Sequence, residues 1–161
     1  AARSITSTCK KMANTGRLAV LRRLEDELEV KRFAIPSDWM MSWEQIKELD
    51  RGNIEIGAHT VHHPILSRLS PEEARREVFD SKRFIESILG KPVYHFAYPN
   101  GELNDFTAEH ENLVAQAGFD SGSSSILGLN DFNTNRYALR RIYAAEESLA
   151  NFASRLVGIG S

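Results

Sequence analysis

Predicted strands and helices alternate along this chain, and the connections between them are short. The predicted strands are residues 54–57, 92–99, 119–124 and 137–143. The predicted helices, with their caps, are residues 17–30, 42–52, 70–90, 107–117 and 147–157. This alternation indicates βα units and therefore an α/β fold with a parallel sheet. In such folds, binding and catalytic side chains gather at the carboxyl ends of the strands.

Capping boxes predict where two of these helices begin. Ser42 is followed three residues later by Gln45, and Ser70 by Glu73, so each pair can satisfy free N–H groups of a first turn. The longer helix is predicted to turn one face inward, lined by Ala74, Val78, Ser81, Ile85 and Ile88. The helix at 42–52 is predicted to turn Trp43, Ile46 and Leu49 inward. The helix at 17–30 carries Leu21, Leu24 and Leu28 on one face.

Composition excludes several classes of protein. A chain of 161 residues, 42% of them hydrophobic, suits one globular domain or a large piece of one. Its 20 basic and 22 acidic residues form no basic stripe, so we expect no nucleic-acid partner. No apolar run approaches the roughly 20 residues of a membrane span. A single cysteine excludes a disulfide-stapled scaffold. No signal peptide is recognisable, which leaves the localisation unknown and cytoplasmic by default.

Three histidines lie directly after the first predicted strand, in the run "IEIGAHTVHHP". His59 and His63 are four residues apart and can reach one cation if the backbone turns helically. Neutral imidazoles suit zinc and other late first-row metals. The alternative is that these histidines only bond to loop backbone. If His59 and His63 are a ligand pair, His62 must point away from it. His95 and His110, which lack a partner at such a spacing, are expected to be structural.

Two motifs carry a resemblance to a known family. "HTVHH" resembles the H-[ST]-x-x-H metal motif of polysaccharide deacetylases, carbohydrate esterase family four. "FAYPNG" (96–101) is similar to the next motif of that family, and "MSWEQIKEL" (41–49) fits its lead-in. The resemblance extends over residues 38–145. It predicts a deacetylase-like α/β domain at 38–161, with residues 1–37 as a helical segment, an insertion or a linker.

The resemblance implies part of a distorted (β/α) barrel that removes N- or O-acetyl groups from polysaccharides. The family holds a divalent metal, here most simply zinc, with two histidines and one aspartate. His59 and His63 would be the imidazole ligands, and the backbone N–H of Asn100 would help to form the oxyanion hole. The adjoining residues would shape the sugar subsite and permit its tight turn, namely Tyr98, Pro99 and Gly101.

The chain also departs from the family pattern. The family's adjacent aspartates, one a general base and the other a metal ligand, should follow a strand before His59. None of the upstream aspartates follows an apolar strand; the candidates are Asp26, Asp38 and Asp50. Ala97 stands where many members have an arginine that braces the base, so Arg141 (or Arg140) is the substitute candidate, unless both only face solvent or pair with a carboxylate. The usual late histidine is missing.

Three interpretations therefore stay open. The chain is the C-terminal part of a longer deacetylase, with the aspartates on an upstream segment or a second chain. Alternatively, it is a catalytically inactive carbohydrate- or metal-binding module, or an unrelated α/β module with a coincidental histidine pair. About four parallel strands cannot close a barrel, so without a covering segment we expect self-association through the open edge.

Overall fold

The structure, a computed structural model, describes residues 2–29, 39–142 and 148–157. The helices are α1 (Ala2–Lys10), α2 (Asn14–Glu27), α3 (Trp43–Arg51), α4 (Pro71–Leu89), α5 (Ala108–Gln116) and α6 (Leu149–Leu156), with a 3₁₀ turn at Leu66–Arg68. The strands are β1 (His95–Ala97), β2 (Ser121–Leu127) and β3 (Leu139–Arg141). The predicted boundary between residues 37 and 38 lies outside the described residues, as do residues 30, 143 and 147 of the predicted elements.

The three strands form one parallel sheet in the order β1-β2-β3. His95 is opposite Ser121, and Ser123 is opposite Leu139. A single parallel bridge between Ala58 and Phe96 adds a fourth chain segment beside β1. All four segments run the same way, so the residues that follow them meet at one edge of the sheet.

The strand predicted at 54–57 does not form. Ala58 donates to His95 O and accepts from the N–H of Ala97, and these two bonds make one bridge rather than a ladder. Within the described ranges no strand pairs with the other side of this segment, and Ile54 is 50% exposed. An extended segment with one short neighbour has too few hydrogen bonds to count as a strand.

The strand predicted at 92–99 is also shorter than expected, because β1 covers only His95–Ala97. Pro92 and Pro99 flank it, and a proline has no N–H to donate to a ladder. β2 instead runs to Leu127, beyond the predicted end at residue 124.

The core lies between the sheet and helices α4 and α5. Both predicted capping boxes are present, at Ser42 with Gln45 and at Ser70 with Glu73. The buried cluster joins the inner face of α4 to aromatic side chains of the sheet layer, and it includes Ala74, Val78, Phe96, Val114 and Phe119. Burying each large apolar side chain contributes about 1.5–3 kcal/mol, which fixes β1 against the helices.

The N-terminal helices differ from the prediction. The helix expected at residues 17–30 is α2, and it begins three residues earlier. Its leucine face is only partly covered by the described residues, since Leu24 is half-buried, Leu21 is 40% exposed and Leu28 is 69% exposed. α3 has no buried residue, so its predicted inner face is likewise only partly covered. No helix was predicted at α1, although its Ile5 and Cys9 are four residues apart and Cys9 is buried. Among the described residues, no helix has the length and apolar character that a bilayer span requires.

Candidate metal and catalytic site

His59 lies at the carboxyl end of the Ala58 bridge, and one of its ring nitrogens is already engaged. Its Nδ1 is 2.7 Å from the carbonyl oxygen of Ala97, the last residue of β1. A carbonyl can only accept, so Nδ1 carries the proton and Nε2 keeps a free lone pair. An outer partner of this kind is what fixes the orientation of metal-binding histidines.

His63 brings a second imidazole beside the first. The two ring centroids are 4.7 Å apart, and the rings meet edge to face at 77°. The helical turn that the spacing required is absent, because Thr60 and His63 both have positive φ, 65° and 54°. The Thr60 hydroxyl replaces that turn by accepting from the His63 N–H (3.1 Å) and donating to His59 O. The structure thus brings the two rings together as predicted, but not through a helical turn.

The local backbone is strained at this point. A residue other than glycine in the left-handed region costs on the order of 1–3 kcal/mol, and such residues persist only where the surroundings hold them. This chain has two of them within four residues, at Thr60 and His63. Strain that clusters in this way is typical of functional sites, so it supports a functional rather than an incidental pairing of the histidines.

Electrostatics favour the neutral, metal-binding form of His59. Although the residue keeps an exposed edge, burial of its ring among protein atoms lowers its pKa, and the nearby charges of His63 and Arg141 lower it further. The hydrogen bond to Ala97 acts in the opposite direction without reversing the shift. Because a metal must displace any proton on the ligand nitrogen, a lowered pKa extends binding to lower pH.

Glu77, on α4, supports the loop between the two histidines. One carboxylate oxygen accepts from the N–H groups of Val61 (2.8 Å) and His62 (2.9 Å), and the other is 2.7 Å from Nδ1 of His62. His62 thus points away from the pair, as the sequence predicts. Glu77 was not predicted as a functional residue. The sequence feature that could have identified it is its position between Ala74 and Ser81, where a carboxylate interrupts the inner face of the helix.

The second predicted motif forms the neighbouring loop, but two of its residues are buried. Tyr98 is 3% exposed, stacks on Phe106 at 4.1 Å and donates to Tyr137 O. Burial raises its pKa. Pro99 is fully buried as well. Both side chains are part of the core, so any shaping of a sugar subsite by Tyr98 and Pro99 would be through their support of this turn.

Asn100, which is half-buried, and Gly101, which is buried, complete that turn. Gly101 N–H donates to Pro99 O at 2.7 Å, and both Asn100 and Gly101 have positive φ, 59° and 73°. A Cβ on Gly101 would lie 2.9 Å from the backbone nitrogen of Ser125, so only glycine fits. Among the hydrogen bonds of the described residues, the Asn100 N–H donates none, which leaves it available to a ligand.

The two candidate arginines lie on different sides of β3. The charge of Arg141 acts on His59. The side chain of Arg140 packs against Gly128. Its backbone N–H and carbonyl oxygen are both hydrogen-bonded to the Asn130 side chain. Successive strand residues point to opposite faces, which explains the difference. Of the two, Arg141 is the one whose charge reaches the histidine pair.

The described part of the chain places no third ligand beside the pair. Over residues 2–29, 39–142 and 148–157, no group of three histidine, cysteine, aspartate or glutamate side chains could hold a metal ion. Asp50 pairs with Lys91, and Asp38 lies outside the described residues. His110 has the structural role that the sequence predicts, because its Nδ1 accepts from the Thr107 N–H at the start of α5.

Comparison with known proteins identifies relatives of this chain. It is 28% identical to YxkH of Bacillus subtilis over 99 residues, which are 62% of this chain and 34% of the relative. It is 40% identical over 60 residues to PdaC of Bacillus subtilis, named a peptidoglycan-N-acetylmuramic acid deacetylase; this match covers 37% of the chain and 13% of the relative. The chain thus spans about a third or less of these two relatives.

A solved structure has a similar fold. The Streptococcus pyogenes deacetylase PplD, solved in complex with acetate, matches with a TM-score of 0.61 and 25% identity, over 66% of this chain and 46% of that one. The predicted fold class, part of a (β/α) barrel of the deacetylase type, is confirmed. Residues 13–122, more than half of the chain, match the family model described as polysaccharide deacetylase. The chain belongs to the polysaccharide deacetylase family.

Proposed function

We propose that this chain supplies the histidine half of the active site of a zinc-dependent hydrolase that removes acetyl groups from a polysaccharide. The observation that carries the proposal is the pair of facing imidazoles, with His59 held by Ala97 O so that Nε2 stays free. Two neutral imidazoles suit zinc at about 2.0–2.1 Å. Zinc, when bound, would lower the pKa of a water molecule and polarise the acetyl carbonyl.

The chain's own residues would perform the remaining steps that the site allows. His59 and His63 would hold the metal and would themselves stay neutral. The Asn100 N–H, which has no partner among the described residues, would donate to the acetyl oxygen as negative charge develops on it. Arg141, whose charge acts on His59, would orient a carboxylate or the sugar beside the metal.

The general base and the third ligand would come from outside the residues described here. An upstream segment or a second chain that carries adjacent aspartates would provide both, and it would also cover the unpaired side of the Ala58 segment. The alternative is an inactive module that binds metal or carbohydrate. The missing aspartate pair in the sequence favours that alternative.

The names of the relatives support a substrate class. PdaC is named for deacetylation of N-acetylmuramic acid in peptidoglycan, and another relative, from Bacillus cereus, for deacetylation of N-acetylglucosamine in peptidoglycan. We therefore propose an N-acetylated glycan as substrate, in which water cleaves the amide C–N bond and releases acetate.

Acetate release tests this function. The chain, and the same chain with any coding sequence that precedes Ala1, is incubated with zinc and either N-acetylated chito-oligosaccharides or peptidoglycan glycan strands. We expect release of acetate that a chelator abolishes and that added zinc restores. Zinc binding and glycan binding without acetate release by either form would instead support the inactive module.

A further inference from the structure

Glu77 makes three contacts to one short loop, all between the two histidines. Its Oε2 accepts from the N–H groups of Val61 and His62, and its Oε1 is paired with His62 Nδ1. The Glu77 side chain is 14% exposed, whereas the His62 side chain is 78% exposed. Both carboxylate oxygens are thus occupied by the loop, so Glu77 is not itself a free metal ligand.

The two backbone contacts matter more than the contact with His62. A side-chain contact to a mostly exposed partner contributes little. Hydrogen bonds from backbone N–H groups to a carboxylate are charge-assisted, and they fix a segment that is neither helix nor strand. The positive φ values of Thr60 and His63, on either side of Val61 and His62, must be maintained by such contacts.

The support for Glu77 is rigid. α4 is 19 residues long, starts with a complete capping box and buries Ala74, Val78 and Ser81. Glu77 is three residues from Ala74 and four from Ser81, so its backbone is fixed on the buried face of the helix. A loop bonded to this position is tied to the core, and sites built on rigid elements hold their geometry best.

We propose that Glu77 is a positioning residue that holds the loop of residues 59–63 so that both imidazoles face one metal ion. The inference rests on the proposed function for the identity of the ion. The positioning role predicts that Glu77, without binding the metal itself, controls the chain's affinity for the metal. It also predicts that the arrangement of the two rings depends on Glu77 before any metal binds.

Four proteins test this role: the unchanged chain, Glu77→Ala, Glu77→Gln and Asp80→Ala. Asp80 lies on the same helix and pairs with Arg83, so its variant is the matched control. Nuclear Overhauser contacts between the His59 and His63 rings, and hydrogen exchange of the Val61 and His62 amides, are measured without metal. We expect ring contacts and slow exchange in all but Glu77→Ala, because a glutamine oxygen still accepts from both N–H groups.

Zinc affinity, measured by calorimetry, is the second readout. We expect Glu77→Ala to weaken zinc binding by about 10–100-fold, with Glu77→Gln and Asp80→Ala close to the unchanged chain. If Glu77→Ala does not fold, Glu77→Asp replaces it with the same expectation, since its carboxylate is one carbon shorter.

The outcomes separate this inference from the proposed function. Unaltered ring contacts and amide exchange in the Glu77→Ala protein would overturn the positioning role. Ring contacts that depend on Glu77, in a chain that binds no zinc with or without its upstream sequence, would support the positioning role and refute the metal function.

Discussion

Replacing Gly101 with alanine is expected to lower the free energy of unfolding by about 2–5 kcal/mol. A left-handed conformation costs a residue with a Cβ about 1–2 kcal/mol, and forcing an atom into a packed site costs about 1–3 kcal/mol more. Both terms apply, because Gly101 has φ +73° and its Cβ would lie 2.9 Å from Ser125 N and 3.1 Å from Tyr98 O. Urea unfolding measures the change.

Gly90 provides the matched control for this substitution. Its φ is +70°, nearly that of Gly101, but a Cβ there would meet nothing within 4 Å. Gly90→Ala should therefore lose only the conformational term of about 1–2 kcal/mol. Equal losses at the two positions would mean that the turn beside Asn100 is not packed as described, and the proposed oxyanion contact would lose its basis.

The second large effect is expected on zinc binding. We expect the unchanged chain to bind zinc with a dissociation constant on the order of micromolar or tighter, and His59→Ala or His63→Ala to weaken binding more than about 100-fold. Loss of a ligand must exceed the loss of an outer partner, which is about 10–100-fold. His110→Ala, which removes an imidazole that starts α5, should bind zinc normally. Calorimetric titration measures all four.

Two results would count against the histidine site. Tight zinc binding that survives both substitutions would locate the metal elsewhere. Weak binding by the unchanged chain would call for the same titration with any upstream coding sequence included, and weak binding there as well would refute the metal function.

The sequence predicted the elements whose signals are local. Ser70, Pro71 and Glu73 specify a helix start within four residues, and the structure has that start. The strands were predicted less well, because a strand depends on its neighbours. β1 is shorter than its apolar run because prolines flank it, and the segment at 54–57 forms no strand because one of its sides is unpaired.

The histidine pair could be predicted, but the way it is held could not. A four-residue spacing suggests a helical turn, whereas the positive φ values of Thr60 and His63 depend on a hydroxyl and on a carboxylate fourteen residues beyond His63 in sequence. Tyr98 shows the same limit. An aromatic residue before proline is compatible with a sugar-binding wall or with a core, and only the packing against Phe106 distinguishes them.

The central claim is that His59 and His63 bind one metal ion through imidazole nitrogens. X-ray absorption at the zinc edge of the zinc-loaded chain tests it most directly. The account predicts two imidazole rings per zinc, with nitrogens at about 2.0–2.1 Å, and the loss of one ring in His59→Ala or in His63→Ala. A spectrum with no imidazole scattering, or one that neither substitution changes, would contradict it.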